Sequence, residues 1–405
     1  MADFYQVEPL RRAAEAARDA GDHAAAIAHY RAALDVLAAA PDAELEYALH
    51  DGRARAASLW GDYALESEDL QHMARLAATA GNLTREIEVL ARQVALKCLL
   101  GHAAEGRAAA EAQLERVVGH EPLEALCRSA LAEANLYLGN LPSARANAER
   151  LGDLAQALGD RAIELHYLHW RGRVARRSGQ VDLAQMLAIQ QCDLARALDD
   201  RYQEALALNN LGLTIADYTQ RLAVFKQAFT LFQVLNWRER QALVANNLAF
   251  AYTSLGLYAR ARVYAEYAVG LFRELGVPTD LGYGLDTLAN ILLAIGAQDS
   301  AQELFAEGLA LSQAMGWRDV ATYYALGLAR VALACGESEA VDQLLAIEAT
   351  FGDLDLRAGQ MVTLAFLGSA QLAVGDTAGA EAATAQAAVL REVGYANIDF
   401  PSQQV

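Results

Sequence analysis

The stretch HYLHWRGRVARRSGQ, residues 166–180, holds the densest run of side chains able to do chemistry. His166 and His169 are three apart and share one helix face, a spacing that offers two metal ligands. A metal site needs further ligands, and the neighbouring side chains are arginines that repel a cation, so no metal is expected. Arg173, Arg176 and Arg177 make a basic patch that suits a carboxylate, an acidic peptide segment or a phosphate. The same arginines could instead bridge to acidic residues of neighbouring segments, such as Glu133 or Asp217. A second constellation is the pair of asparagine doublets, Asn209-Asn210 in LNNLG and Asn246-Asn247 in ANNLA. An amide both donates and accepts, so it can hold a peptide backbone without reading side chains. The alternative is that these amides satisfy hydrogen bonds between helices. HExxH, GxSxG and GxxxxGK[ST] do not occur, and no cysteine sits in a catalytic signature. An enzyme is therefore not expected, and no cofactor is implied.

The elements that position these residues follow from composition. Hydrophobic residues make up 54% of the 405 and aromatic residues only 7%, so the apolar content is mostly Ala and Leu. That mixture suits helices, and six prolines leave long helices uninterrupted. Valine and isoleucine never form the alternating runs a sheet needs. A net charge of −18 argues against general nucleic-acid binding and fits a soluble protein with a basic partner. Cys98, Cys127, Cys192 and Cys335 lie far apart with no CxxC pair, as expected of reduced, inert core thiols in a cytoplasmic protein. MADFYQVEPLRR lacks the basic-then-apolar pattern of a signal peptide, and no apolar run approaches a membrane span of ~18 residues.

The chain is organised around residues 242–276, ALVANNLAFAYTSLGLYARARVYAEYAVGLFRELG. Leu248, Ala249 and Tyr252 recur at helical spacing before Gly256, and Ala261, Ala265, Ala268 and Phe272 do so after it. Glycine at the break accepts the left-handed conformation that ends a helix. The stretch is a helical hairpin in which small residues allow close approach and Tyr252 and Phe272 fill the seam. Related turns fall at Gly21, Gly61, Gly101, Gly139, Gly179, Gly296, Gly336 and Gly375, about 40 residues apart. Between Gly179 and Gly256 the step doubles, which predicts a glycine-free turn near Asp217-Tyr218. A second punctuation recurs between hairpins: ALGD, ALDD, LNW, LGV, MGW and FGD, the last ahead of Leu354, with Asp or Thr available as N-caps. Residues 40–120 depart most from the small-residue pattern. Pro9 is read as the first helical position of the opening unit.

The segment GDHAAAIAHYRAAL, from Gly21 to Leu34, nearly completes the GD-x-x-x-A-I-x-x-Y-x-x-A-L pattern, and here the chain resembles the tetratricopeptide repeat family. The long period and LHDGRARAASLWGDYALESEDL resemble, more narrowly, the arrays that follow ATPase modules in bacterial signalling proteins, including cyclase-linked and maltose-activator-like regulators. The resemblance implies a concave groove lined by the first helix of each unit. Counting back from Gly179 puts Gly172 at the small-residue position, and then His166, His169, Arg173, Arg176 and Arg177 line the groove while Arg171 points elsewhere. It also implies that Asn210 and Asn247 clamp a peptide backbone, with Asn209 and Asn246 beside them. The matching positions in the preceding and following units are Trp170 and Thr287.

The expectation is therefore an all-α, right-handed solenoid of about ten tetratricopeptide-like hairpins, continuous over residues 1–405, with turns near 21, 61, 101, 139, 179, 218, 256, 296, 336 and 375. Its expected role is a non-enzymatic, cytoplasmic scaffold or sensor that binds a protein or peptide segment, one carrying an acidic stretch in particular, at residues 161–275. Trp170 and Phe250 are expected as exposed groove aromatics. The alternative is a regulatory region of a larger signalling ATPase, cyclase or transcription regulator. Ala380, Ala383, Ala387 and Leu390 are expected to leave an uncovered stripe on the last helix, completed by missing residues, a partner or a second copy. Tyr395 to Phe400 are expected to lead toward a further helix.

Overall fold

The computed structural model describes residues 4–392 as twenty α-helices and one 3-10 turn, with no strand among the described residues. The chain divides into two compact units, residues 1–244 and 245–405. The first unit contains hairpins α1 (Phe4–Asp19) with α2 (His23–Leu37), α3 (Ala43–Trp60) with α4 (Tyr63–Thr79), and α5 (Leu83–Leu99) with α6 (Ala103–Gln113). It continues through α7 (Glu121–Tyr137) with α8 (Leu141–Leu158), α9 (Arg161–Arg177) with α10 (Val181–Ala197), and α11 (Arg201–Gly212) with α12 (Tyr218–Val234). The boundary between the units falls inside α13 (Arg238–Ser254). Then come α14 (Tyr258–Leu275), α15 (Pro278–Ala294) with α16 (Gln298–Ala314), α17 (Arg318–Cys335) with α18 (Ala340–Asp353), and α19 (Arg357–Ala373) with α20 (Thr377–Glu392).

The turns explain why the helices stop where they do. Gly21 has φ +79°, and the Asp22 amide donates back to the Ala17 carbonyl, closing a left-handed cap. Asp22 then accepts from the Ala25 amide and starts α2. Asp62, Asn140 and Asp217 open the second helices of their hairpins by the same bond. The α11–α12 turn has no glycine and ends at the Asp217 cap. Between hairpins, Asp199, Asn236 and Asp355 adopt positive φ, which short polar side chains tolerate better than other non-glycine residues.

Packing pairs a missing Cβ with a ring. A Cβ on Gly52 would lie 2.4 Å from the Tyr30 ring, and one on Gly212 would lie 2.5 Å from Phe225. In the second unit the same holds for Gly308 with Tyr324, Gly327 with Phe305 and Gly359 with Phe351. All five rings are almost fully buried. Glycine in a helix interior costs about 0.5–1 kcal/mol relative to alanine, and burying an aromatic ring at about 25 cal/mol per Å² more than offsets it.

Several expectations are corrected. α1 begins at Phe4 and carries Pro9 inside it; burial of Val7 in the first core cluster rewards the extension although Pro9 gives up one helical hydrogen bond. The FGD segment ends α18 as expected, but its aspartate does not cap the next helix, and the chain turns after it at Leu354 to Leu356 around Asp355. Cys98, Cys127 and Cys192 are buried, but Cys335, at the end of α17, is exposed. Trp170 is buried, not a groove-exposed aromatic. On α20, Ala380 and Ala383 are buried, and Ala387 and Leu390 pack on the core beside them, so this stripe faces inward. Tyr395 to Phe400 lie outside the described residues. The irregularity at 40–120 resolves into a short α6 followed by a 3-10 turn at Leu114–Val117.

Candidate functional site

In the first unit the first helices of successive hairpins, α7, α9 and α11, stack with an offset of 41 residues. Trp170 Nε1 donates to Ser129 Oγ at 2.9 Å, and Asn210 Nδ2 lies 3.3 Å from His169 Nδ1, each across that interval. Ser129 Oγ, which accepts from Trp170, also lies 3.1 Å from His166 Nδ1. His169 is buried, edge-on to Trp170 with ring centroids 4.5 Å apart. The amide nitrogens of Asn210 and Gln191 both approach its Nδ1, which assigns the proton to Nε2. Burial holds the His169 pKa well below its ordinary value, with Arg173, Arg240 and His166 adding repulsion, so the ring is neutral at pH 7. His166 is shifted down by burial as well.

Arg173 is half-buried, its guanidinium 5.2 Å from the Trp170 ring and 6.0 Å from that of Tyr137. Its acidic counterpart is Glu133, whose pKa burial pushes up while the charges of Arg173 and Arg240 partly pull it back. Glu239 is buried against Arg240 at 3.0 Å, on the first turn of α13. Tyr202 stacks on Trp237 at 4.2 Å; burial raises its phenol pKa, against the pull of Arg240. The inner cluster of this unit is thus Glu133, His169, Arg173, Tyr202, Asn210 and Arg240. Sequence reasoning missed Tyr202, Glu239 and Arg240. The step between the asparagine doublets, Asn210 to Asn247, is 37 residues, so a fixed 41-residue register does not reach the α13 pair.

The remaining arginines behave differently from Arg173. Arg177 donates to the Leu136 carbonyl at the C-terminal end of α7, where carbonyls lack intrahelical partners, so it fastens α9 to α7. Arg176 is half-buried one position earlier. Arg171 is buried on the opposite face, 3.8 Å from Glu149. Asp217 is taken up as the α12 cap. Asn209 is buried, in contrast to half-buried Asn210.

In the second unit Asn246 and Asn247 are both buried and Phe250 is half-buried. Asn246 Oδ1 has no hydrogen-bond partner. A polar ladder that sequence reasoning missed runs from Asp286 to Asn290 on α15 and to Arg330 on α17, whose Nη1 donates to Asn290 Oδ1 at 2.6 Å. Arg330 also lies over the Phe366 ring at 4.8 Å, and burial lowers its pKa. Among the described residues no group of three or more His, Cys, Asp or Glu gathers to hold a metal ion, and no helix is long and apolar enough to cross a membrane.

Paired helices, glycine turns and ring-filled seams define a tetratricopeptide-like repeat array. The structure is similar to that of a Rap protein in complex with competence and sporulation factor, with a TM-score of 0.66 and 13% identity over 87% of this chain and 98% of that one. It is similar to aspartyl phosphate phosphatase F from Bacillus subtilis, with a TM-score of 0.54 and 14% identity over 97% and 96%. It also matches a signal-transduction ATPase with numerous domains that carries a tetratricopeptide repeat sensor, from Pyrococcus horikoshii, at a TM-score of 0.50 and 15% identity. That match covers 83% of this chain and 55% of the ATPase. No family model matches the sequence, and no curated protein matches it.

Proposed function

We propose that the inner face of the first unit binds a peptide or protein segment bearing a carboxylate, and that the chain acts as a non-enzymatic scaffold or sensor. The observation that carries this reading is Arg173, half-buried between two aromatic rings beside the Asn210–His169 pair. An incoming carboxylate pairs with Arg173, and the Asn210 amide holds the adjoining backbone. His169, being neutral, adds hydrogen bonding without further charge. Nucleic acid is a poor partner for a chain of net charge −18. A cytoplasmic, bacterial setting is consistent with this reading. We also propose that residues 1–405 belong to one continuous array of such hairpins, and that Asn247 and Phe250 take part in binding.

The test is selection from a displayed random-peptide library on the full chain, followed by calorimetry. Selected peptides should be enriched in Asp, Glu or a free C-terminus, and should bind less well as salt rises. Arg173→Ala with Asn210→Ala should weaken binding at least about tenfold, the loss of one charge-assisted hydrogen bond. Glu133→Gln should tighten it by removing a nearby carboxyl that acts on the Arg173 charge. Equal affinity in all three backgrounds would refute the assignment. A second reading is favoured by the likeness to the ATPase with a repeat sensor: the chain would be the sensing region of a larger signalling protein. A nucleotide-binding coding sequence adjoining its own would support it.

A further inference from the structure

The linker between α12 and α13 touches three distant places within the first unit. Asn236 sits at φ +52°, and its side-chain amide occupies the space where a Cβ on Gly21 would stand, 2.1 Å from that position. Trp237 turns inward and stacks on Tyr202. Arg238 donates to the Trp60 carbonyl at 3.1 Å and lies 5.1 Å over the Trp60 ring. The Trp60 carbonyl belongs to the last turn of α3, where a cation meets unpaired carbonyls and the negative end of the helix dipole. Three consecutive residues therefore hold the turns of the first two hairpins and the inner cluster together. The Arg238–Trp60 bond spans 178 residues, far beyond the neighbour-to-neighbour contacts of a repeat array.

We propose that Asn236-Trp237-Arg238 is a latch that fastens the first two hairpins to the end of the sixth, and that it is coupled to the inner face through the Trp237–Tyr202 stack. Latching brings the ends of a superhelical turn together around Glu133, His169 and Arg173. An occupant that reorients Tyr202 moves Trp237, and with it the two residues that hold Gly21 and Trp60. Coupling of this kind is reciprocal, so opening the latch changes the inner face in turn. The latch stands on the contacts alone; only its use in sensing rests on the binding function proposed above.

The test needs no ligand, so it is independent of whether a peptide is found. Nitroxide labels at Ala20→Cys and Gln233→Cys, both exposed, report the distance between turn and linker in the full chain with Cys335→Ser. Double electron–electron resonance should give one narrow distance. Arg238→Ala, Trp60→Ala and Gly21→Ala should each lengthen and broaden it while the helical circular dichroism is kept. Gly139→Ala is the control: Gly139 has φ +72° but open space around it, so the same backbone strain should leave the distance unchanged. Tyr202→Ala should broaden the distribution through Trp237. A broad distribution in the wild type, or one indifferent to Arg238→Ala and Gly21→Ala, would overturn the latch. A narrow distribution unaltered by Tyr202→Ala would overturn the coupling.

Discussion

Gly308→Ala places a methyl group where the structure has an aromatic ring. The new Cβ would stand 2.0 Å from the Tyr324 ring, far inside contact distance. Tyr324 is 2% exposed and cannot step aside, because its hydroxyl donates to the Gly282 carbonyl. Alanine alone would favour the helix by about 0.5–1 kcal/mol. Against that stand overpacking, about 1–3 kcal/mol, and a buried hydroxyl and carbonyl left without each other, about 1–3 kcal/mol. The balance is a loss of roughly 2–4 kcal/mol. Urea titration followed by far-UV circular dichroism measures it. The decisive comparison is the same substitution in Tyr324→Ala, where the ring is gone and alanine should stabilise by about 0.5–1 kcal/mol. Gly172→Ala provides a second contrast, since its Cβ would meet Leu187 at an ordinary 3.6 Å and should be neutral or stabilising. A neutral Gly308→Ala, or an equal loss with and without the ring, would refute the idea that these glycines are kept for their rings.

Two further outcomes follow from buried titratable groups. The Glu66 carboxyl, pushed up to about 7 by burial from an ordinary 4.5, holds its proton more tightly folded than unfolded. Its stabilising contribution is complete below pH 4.5 and is lost as pH rises toward 7, so Glu66→Gln should be more stable than wild type above pH 7, by on the order of 3 kcal/mol, and equal to it below pH 4.5. Parallel stability curves for the two proteins would rule this out. Burial raises the Cys127 and Cys192 thiols to about 11 and Cys98 further still, while Cys335 is exposed. Ellman's reagent should therefore find one fast thiol in the native chain and none in Cys335→Ser; more than one fast thiol would contradict the burial pattern.

The hairpins were legible because their signals are local. A glycine that must take positive φ and an aspartate that must cap the next helix announce a turn whatever surrounds them, and Asp217 does so without any glycine. The misreadings share a different cause. Pro9 sits inside α1 because Val7, two residues before it, finds a core to enter, and that core is built by α2 and α3. The stripe on α20 was recognised as apolar, but periodicity does not say whether a face meets the preceding helix or the outside. Packing on Leu364 and Leu367 of α19, within one core cluster, answers that.

The candidate site shows the same limit more sharply. Helical register placed Arg173, Arg176 and Arg177 on related faces of α9, yet their surroundings differ. Arg177 reaches the end of α7 and donates to a backbone carbonyl, whereas Arg173, one turn earlier, is held near two aromatic rings. One turn along a helix thus separates a fastening from a candidate binding group, because Arg177 meets a carbonyl of the last turn of α7. The asparagines divide in the same way. Asn210 meets His169 across a repeat, while Asn209 beside it is buried. A doublet carries one amide toward the inner face and one into the stack, so the two residues of LNNLG are expected to answer to different substitutions: Asn210→Ala to ligand, Asn209→Ala to stability. If both changed stability alone, the inner amide would be a packing residue too, and Arg173 would have to hold its partner without it.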